Sequence, residues 1–466
     1  MMKKIKDWIE DRTGLISLIK SAAEHKVPHN ATWLYVFGSA TLVCFLIQVV
    51  TGIGLAMLYQ PSSGTAYASL KYIEEQAVLG SWLRGIHYFG ASGMILMMGI
   101  HMIRVYLMAA YKYPREVSWI SGIFLLLLTI MMGFTGQLLR WDDNGVWSAV
   151  VAAEQVGRIP IIGQAIADFL LGGQTIGGQT LSRFYSFHVF LVPAFLFLFI
   201  GLHVYLVFKN GISEPPVAGR LTNPKTYKQW YQKLLDKSGV SFYPFALWRD
   251  VLFSMLVVLF ILLLGYFIGA PALKGNPNPA SIDVMPQPDW YLLWIFALFA
   301  LMPPEIESYV IILGPVMMIA ILFALPFLSN KGERHPLRRP WAIAGVIITI
   351  AIVCTLWYEG IQSPWSPDFK TKPLPVGLTM GKDTLVITGS QLLFDKGCLY
   401  CHQVNGLGGR RGPDLTHIEK RLNLQEMTIR IVNGGSNMPA YGGSLSSKEL
   451  SAILAFLQSD KNNKVK

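Results

Sequence analysis

Seven long apolar stretches constrain the fold of this chain more than any other feature of its sequence. Each stretch is long enough to cross the hydrocarbon core of a bilayer, which takes about 20 helical residues. Because a bilayer offers no partner for open backbone groups, such stretches are expected to be helices. The sequence therefore predicts an all-α integral membrane protein, with spans at residues 33–58, 84–109, 117–139, 184–208, 249–270, 307–328 and 340–360.

The distribution of charge predicts the orientation of these spans. Of the 466 residues, 52% are hydrophobic and only 14% are charged, and the formal net charge is +11. The basic residues form no patch with interleaved aromatic residues, so the charge does not indicate nucleic acid binding. They concentrate in the N-terminal segment and in loops 110–118, 209–248 and 329–339, which the positive-inside rule assigns to the cytoplasm. The C-terminus is then outside, and residues 5–20 are expected to form an amphipathic helix on the membrane surface.

Two of the predicted spans carry histidine pairs at nearly the same spacing. His87 and His101 are 14 positions apart in the second span, and His188 and His203 are 15 apart in the fourth. On a helix this spacing is about 21–22 Å and keeps both members of a pair on one face. Antiparallel spans would match His87 with His188 at an outer level and His101 with His203 at an inner level. A lone histidine in a span is usually a hydrogen-bonded polar residue, but two matched pairs predict two stacked bis-imidazole haem sites.

Glycines on the neighbouring spans repeat the histidine interval. Gly38 and Gly52 in the first span are 14 positions apart, and so are Gly122 and Gly136 in the third. A glycine lets a flat macrocycle approach the backbone closely. Small residues also mediate helix packing, which is the alternative interpretation.

Two arginines flank the second span. Arg84 and Arg104 are placed to pair with haem propionates. Arginines at the ends of a membrane helix also reach toward the lipid headgroups by default. The sequence leaves both interpretations open.

An outer-side segment, residues 286–305, reads PQPDWYLLWIFALFALMPPE. It begins as a proline-rich loop and continues as a short apolar helix that Pro303 and Pro304 stop. Asp289 and Tyr291 are hydrogen-bonding groups beside this apolar stretch. A quinol headgroup needs such groups to accept its protons while its tail remains in lipid. An interfacial belt of aromatic residues is the alternative interpretation.

The last hundred residues have the composition of a small globular domain. Residues 363–384 are a proline-containing linker, and residues 385–466 include the motif Cys398-Leu-Tyr-Cys401-His402. In a C-x-x-C-H motif the two thiols attach a haem covalently and the histidine becomes an axial ligand. A zinc site or a redox-active pair is the alternative, which the adjacent histidine and a later Met-Pro disfavour.

Two methionines are candidates for the second axial ligand. Met438 precedes a proline and is the better candidate, whereas Met427 falls within an amphipathic helix and is expected in the core. The two remaining cysteines, Cys44 and Cys354, lie in apolar helices and are expected to be small buried side chains.

Three successive parts of the chain resemble known families of electron-transfer proteins. Residues 1–220 resemble the cytochrome b of bc-type and bf-type quinol-oxidising complexes, in particular the plastid and Gram-positive form with an extra residue between its fourth-helix histidines. Residues 240–362 resemble that family's separate three-helix subunit, with PDWY where many members have PEWY. Residues 385–460 resemble a class I cytochrome c. The matching runs in the first part are CFLIQVVTG, LMMGIHMIRVYL, YPREVSWISG, TLSRFYSFHVF and KNGISEPP.

The resemblance implies a fold in successive parts. After an N-terminal interfacial segment, residues 1–30, a four-helix bundle with two haems is expected at residues 31–220. A linker and a three-helix domain with the outer quinol-site loop follow at residues 221–362. The linker 363–384 then leads to the α-helical cytochrome c domain, residues 385–466.

The resemblance also implies the cofactors. Two haems b would be held without covalent bonds, and one haem c would be attached covalently. The implied ligands are His87 and His188 for the outer haem b, His101 and His203 for the inner haem b, and Cys398, Cys401, His402 and Met438 for the haem c.

The implied activity is that of a subunit of a quinol:cytochrome c oxidoreductase in a respiratory or photosynthetic complex. Quinol would be oxidised near Asp289 and Tyr291, and its electrons would divide between a Rieske partner with the haem c and the two haems b, coupled to proton translocation. Because the chain has no Rieske cysteine–histidine motif, that iron–sulfur protein is expected to be a separate partner. An alternative activity is a di-haem electron-relay anchor that links the quinone pool to another redox module.

The implied setting is a bacterial cytoplasmic membrane, with the N-terminus in the cytoplasm and the cytochrome c domain on the periplasmic side. The expected partners are quinol and quinone, membrane lipid, the Rieske protein and a soluble or membrane-attached cytochrome c acceptor. A homodimeric complex is expected, and no nucleic acid.

The chain departs from the family pattern at four positions. Plastid-type members attach a third haem through a cysteine at the position of Val36, and Cys44 lies about 12 Å further along a helix. A covalent third haem is therefore not expected. Where family members read like TGYSLPWD, this chain has Gln137 and Arg140, and Asp289 replaces a glutamate.

Overall fold

The computed structural model describes residues 2–173, 175–277, 287–363, 366–379, 381–434, 438 and 440–459, without the side chains of residues 2, 304 and 305. The chain forms two compact units. The first comprises Met1–Leu292 and Ser308–Val353, and the second comprises Leu293–Glu307 and Cys354–Lys466. Residue 286, the start of the predicted quinol-site segment, and Pro439 lie outside the described residues.

The described residues contain seven helices that are long and apolar enough to cross a membrane. The spans are, in order, Phe37–Ala56, Gly80–Leu107, Glu116–Leu138, Gly178–Asn210, Phe242–Phe267, Ile306–Leu328 and Pro340–Gln362. Large apolar side chains such as Val50, Phe190 and Leu198 remain more than half exposed on their surfaces. A helix that is apolar on its outward face as well suits a lipid environment. The predicted all-α fold and number of spans are confirmed.

The first five spans lie wholly within the first unit and pack around an apolar cluster. Its buried members include Cys44, Phe45, Ile86 and Leu196. The Cys44 side chain has no exposed surface. Val36, at the position where plastid-type members carry a cysteine, is 2% exposed. Cys44 is thus a packed core residue of the bundle, as its apolar surroundings in the sequence predict. The same expectation is wrong for Cys354, whose side chain is exposed on the surface of the last span.

The fourth span is not a regular α-helix throughout. It consists of α-helices Gly178–Ser186 and Val192–Asn210 with a π-helical turn, Phe187–Leu191, between them. The turn contains His188. Single π-turns insert a residue into a helix and often occur at functional sites, because they rotate the side chains that follow.

Shorter elements complete the first unit. Its non-spanning α-helices are Met2–Thr13, Leu15–Glu24, Ala66–Glu75, Asp143–Gly157, Gly163–Leu171 and Tyr227–Ser238, with 3-10 turns Trp33–Tyr35 and Pro336–Arg338. Two antiparallel strand pairs join Lys26–Pro28 to Gly239–Ser241 and Leu221–Thr222 to Gly332–Glu333. The single surface helix predicted for residues 5–20 is wrong in one respect. It is two helices that meet at Gly14, whose φ of 59° requires a left-handed backbone.

The loop at residues 209–248, which the sequence presents as a polar linker, contains a buried network of charges. Arg115 donates to the Gly211 carbonyl and to the Tyr227 hydroxyl, each at 2.8 Å. Tyr227 in turn donates to Glu214 at 2.6 Å, and Arg334 forms an ion pair with the same carboxylate. Breaking one member of such a network leaves a buried charge unpaired, so this loop is firmly held.

The second unit contains the short helix Leu293–Ala300 and a small helical fold. Its helices are Thr384–Asp395, Cys398–Cys401, Leu424–Asn433 and Ser447–Gln458, with 3-10 turns Val376–Leu378 and Ile418–Lys420 and the strand pair Gln403–Val404 with Leu407–Gly408. Leu393, Leu399 and Phe456 form the centre of its apolar core. Capping boxes at Asn423 and Ser446 begin the last two helices.

Candidate functional site

The four span histidines form two facing pairs. The ring centres of His87 and His188 are 6.3 Å apart, and those of His101 and His203 are 6.5 Å apart. In both pairs the ring planes are inclined at 74°. Each separation leaves room for one metal atom between two imidazoles, since a metal–imidazole bond is about 2 Å long. The structure brings together the pairs that the spacing predicts.

Three of the four histidines contact a hydroxyl group through Nδ1. Each hydroxyl is also placed to donate its proton to a backbone carbonyl of the preceding turn, at 2.6–2.9 Å, and in that arrangement it accepts a hydrogen bond from Nδ1–H. This contact fixes the tautomer and leaves Nε2 with a lone pair for iron. The contacts are Thr51 Oγ1 to His87 Nδ1 at 2.9 Å, Ser121 Oγ to His203 Nδ1 at 2.8 Å and Thr135 Oγ1 to His188 Nδ1 at 3.1 Å.

The four predicted glycines each face a different histidine. A Cβ atom added at any of them would come within contact distance of a ring carbon, Cε1. The distances would be 3.2 Å from Gly38 to His101, 3.3 Å from Gly52 to His87, 3.6 Å from Gly122 to His203 and 2.6 Å from Gly136 to His188. Side chains at these positions would crowd the imidazole faces. The space left by the four glycines and the Nε2 lone pairs of the histidines together fit a flat macrocycle with two axial histidines.

The two arginines at the ends of the second span have different partners. Arg84 is buried, pairs with Glu74 at 2.5 Å and donates to the Pro271 carbonyl at 2.7 Å. Arg104 donates to the Leu34 carbonyl at 2.9 Å, and its guanidinium lies 4.1 Å from the centre of the Tyr35 ring. Both side chains thus have partners within the protein, and their pairing with haem propionates stays a prediction.

Asp289 and Tyr291, the predicted quinol-site residues, lie together in the structure. The Tyr291 hydroxyl donates to Asp289 Oδ2 over a long 3.4 Å, and Gly133 packs directly against the tyrosine ring. Burial raises the pKa of the Asp289 carboxyl, while the nearby Arg140 guanidinium opposes this rise. Burial, followed by the negative charge of Asp289, raises the pKa of Tyr291 well above its usual range. The carboxylate is therefore a stronger proton acceptor than an exposed aspartate.

Gln137, one of the departures from the family pattern, holds the backbone of this segment. Its Oε1 accepts from the Asp289 N–H at 3.0 Å, and its Nε2 donates to Ser148 Oγ at 3.2 Å and to the Gln287 carbonyl at 3.3 Å. Asn144 adds two hydrogen bonds of 2.9 Å to the backbone of Gln287. No local sequence signal indicates the role of Asn144, because its partner lies 143 positions away.

Arg140, a second departure, is fixed in a buried ion pair. It contacts Asp142 at 2.6 Å, and the Asp142 carboxylate has no exposed surface. Asp142 also accepts from the Gly145 N–H and the Lys274 N–H, each at 2.9 Å. The positive charge of Arg140 is thereby held near Asp289.

In the second unit, the predicted haem c residues line one cavity of about 630 Å³. Cys398, Cys401, His402 and Met438 all lie on its wall. The His402 Nδ1–H donates to the Pro413 carbonyl at 2.7 Å, which leaves Nε2 available. A cavity of this size with two adjacent thiols, a histidine and a thioether fits a covalently attached haem.

Two observations bear on the alternatives for this cavity. Burial raises the pKa of the Cys398 thiol to about 11, so this thiol is a poor metal ligand or redox nucleophile in the free state. Among the described residues, no group of three or more histidine, cysteine, aspartate or glutamate side chains is arranged to hold a metal ion. Met427 also lines the cavity but is 3% exposed and belongs to the apolar core.

Comparison with known proteins agrees with this architecture. The family model "Cytochrome b/b6/petB" matches residues 22–211, and "Cytochrome b(C-terminal)/b6/petD" matches residues 274–371. The model "Cytochrome C oxidase, cbb3-type, subunit III" matches residues 387–457. The matches follow one another along the chain in the order that the sequence predicts.

Individual relatives support the same assignment. Cytochrome b6 from Synechococcus elongatus is 38% identical over 214 residues, which are 46% of this chain and the whole of the relative. Cytochrome b6 from Auxenochlorella protothecoides is 39% identical over the same length and coverage. A solved structure titled "Hyperthermophilic respiratory Complex III" is 28% identical, with a TM-score of 0.65, and covers 76% of this chain and 91% of that one. These matches imply haem b and haem c as cofactors, and the chain is an integral membrane protein that belongs to the cytochrome b/b6 family.

Proposed function

We propose that this chain is the cytochrome b and cytochrome c subunit of a quinol:cytochrome c oxidoreductase. The proposal rests on the two facing histidine pairs, which lie on two spans of one bundle. Within each pair the ring centres are 6.3 or 6.5 Å apart. Such a bundle suits electron transfer across a membrane between two levels. The likeness to cytochrome b6 proteins and to a respiratory complex III supports the quinol as substrate.

In this proposal His87 and His188 ligate an outer haem b, and His101 and His203 ligate an inner haem b. The bound haems b and a haem c supply one-electron carriers, which a two-electron donor such as quinol requires. The residues of the chain contribute orientation. Hydroxyl contacts hold three of the four imidazoles with Nε2 toward the iron, and the glycines keep the faces of the rings clear.

Asp289 and Tyr291 would bind the quinol headgroup and receive its protons. Asp289 is the proton acceptor, because burial raises the pKa of its carboxyl toward that of a useful general base. Tyr291 keeps its proton, so its hydroxyl orients the carboxylate or donates to a quinol oxygen. Gln137 fixes the backbone of Asp289, so the carboxylate stays at one position.

In the second unit, Cys398 and Cys401 would attach the haem c, and His402 with Met438 would ligate its iron. A Rieske iron–sulfur protein would take one electron from quinol and pass it to this domain, and a soluble or membrane-attached cytochrome c would be the acceptor. The complex would be a homodimer in a bacterial cytoplasmic membrane, with a cytoplasmic N-terminus, a periplasmic cytochrome c domain and coupled proton translocation.

The cofactor content is tested by a reduced-minus-oxidised spectrum with pyridine haemochrome quantitation. We expect two haems b and one haem c per chain. Absence of haem b would contradict the assignment of the four histidines. Two haems c per chain would indicate a third covalent haem, and Cys44 would be the first residue to replace.

The activity is tested with Asp289→Asn and Tyr291→Phe. Both should lower quinol oxidation strongly while the haem content stays unchanged. An unaffected rate would favour an electron-relay anchor without a quinol site of its own. Turnover by a purified complex that holds no iron–sulfur protein would contradict the split of electrons.

A further inference from the structure

The residue that precedes each haem-facing glycine follows a pattern with one exception. Thr51 precedes Gly52, and hydroxyl residues likewise precede the two glycines of the third span, at positions 121 and 135. Each of these hydroxyls lies within hydrogen-bond distance of a histidine Nδ1 and can accept its proton. At the fourth place, Phe37 precedes Gly38. Phe37 therefore lacks the hydroxyl that serves as a hydrogen-bond acceptor at the other three positions.

His101, the histidine that faces Gly38, differs accordingly from the other three. Its Nδ1 is buried, and within the described part of the chain no hydrogen-bond partner contacts it. The backbone carbonyl of Leu34, one turn before Gly38, accepts a hydrogen bond from Arg104 Nε at 2.9 Å and not from His101. Phe37 packs edge-on against Phe253, with ring centres 5.4 Å apart. No hydroxyl can therefore reach His101 from this position.

A hydrogen bond from the outer nitrogen of an axial imidazole increases the electron donation of its other nitrogen to the metal. Greater donation stabilises the oxidised iron and lowers the reduction potential, so a missing bond acts in the opposite direction. Building on the haem ligation proposed above, we propose that Phe37 raises the reduction potential of the inner haem by leaving the His101 Nδ1–H without an acceptor. Electrons are thereby drawn from the outer pair toward the inner pair.

The test restores the missing acceptor and measures the potentials of both haems b. Phe37→Thr places a hydroxyl before Gly38, in the same position relative to the glycine that Thr51 occupies before Gly52. Phe37→Leu is the matched control, because it loses the ring contact with Phe253 without adding an acceptor. Thr51→Val, which preserves side-chain shape, removes the acceptor of His87 and identifies the outer haem. Spectroelectrochemical titration of the purified full-length chain resolves the two b-type transitions.

We expect Phe37→Thr to lower one potential by an amount equal to about a tenfold change in the ratio of oxidised to reduced haem, which is about 59 mV for one electron. Phe37→Leu should leave that potential in place, and Thr51→Val should raise the other one. Equal potentials in Phe37→Thr and Phe37→Leu would overturn the inference. If two haems b titrate normally in all variants, only this inference fails, whereas a chain without haem b would contradict the proposed function as well.

Discussion

Gln137 offers the most direct test of how the chain positions its proposed proton acceptor. We predict that Gln137→Leu slows quinol oxidation without changing the haem content. Leucine has a similar size and helix propensity, so the third span should keep its shape. Gln137 is 3% exposed, and the substitution removes its three hydrogen bonds to Asp289, Ser148 and Gln287.

Only one of these three partners is left without a hydrogen bond. Ser148 still donates to the Asn144 carbonyl at 2.7 Å, and the Gln287 carbonyl still accepts from Asn144 at 2.9 Å. The Asp289 N–H loses its acceptor in a half-buried place. An unsatisfied buried donor costs about 1–3 kcal/mol. Each change of about 1.4 kcal/mol corresponds to a factor of ten in an equilibrium constant. The conformation that holds the Asp289 backbone in place should therefore become roughly 5- to 150-fold less populated relative to conformations in which this backbone is displaced.

The assay is steady-state quinol oxidation normalised to haem b, with kcat and KM determined separately. Gln164→Leu is the matched control, because Gln164 is an exposed glutamine whose Nε2 donates to Asp168 Oδ1 at 2.8 Å. The Gln164→Leu control should retain wild-type activity. If Gln137→Leu also stays within twofold of wild type, the anchoring of Asp289 by Gln137 has no part in the reaction.

Three further predictions concern separate parts of the chain. Because burial raises the pKa of Asp289, its carboxylate is protonated and inactive up to a higher pH than usual, so the rate should fall as the pH drops through this raised pKa. Arg140→Gln removes the opposing charge and should move the acid limb of the pH–rate profile to higher pH, whereas Arg140→Lys should not. Phe456→Ala empties a site with no exposed surface and should destabilise the C-terminal domain by about 3–5 kcal/mol in chemical denaturation. Met438→Ala should change the spectrum and potential of the haem c while covalent attachment persists, and Met427→Leu should leave both nearly unchanged; the opposite result would make Met427 the ligand.

The sequence predicted those features that depend on local periodicity. The seven spans follow from the length of the apolar stretches, and the pairing of His87 with His188 follows from equal helical spacing in antiparallel helices. The hydroxyl partners were not predicted, although a threonine or serine before three of the four glycines was a visible signal. A threonine or serine before a glycine indicates a hydrogen bond to a histidine only when the facing helix is known.

The sequence pattern does not predict features that depend on contacts between residues far apart in the chain. The loop between the third and fourth spans contains helices Asp143–Gly157 and Gly163–Leu171, whose polar composition does not separate them from an irregular loop. The anchoring of Gln287 by Asn144 joins residues 143 positions apart. The break at Gly14 follows from one left-handed residue, which an amphipathic pattern continuing on both sides conceals.

The departures from the family pattern at Gln137, Arg140 and Asp289 are better understood as one change than as three. Gln137 bonds the backbone of Asp289, and the charge of Arg140 acts on the pKa of the same carboxyl. An aspartate has a shorter side chain than the glutamate of many family members, so the position of its backbone decides where the carboxylate lies. Gln137, which fixes this backbone, compensates for that shorter reach, and Arg140 separately limits the rise in the pKa of the carboxyl. Since Gln137 and Arg140 both act on Asp289, the proposed proton acceptor, we expect the effects of substitutions at these three positions on quinol oxidation to be coupled rather than additive.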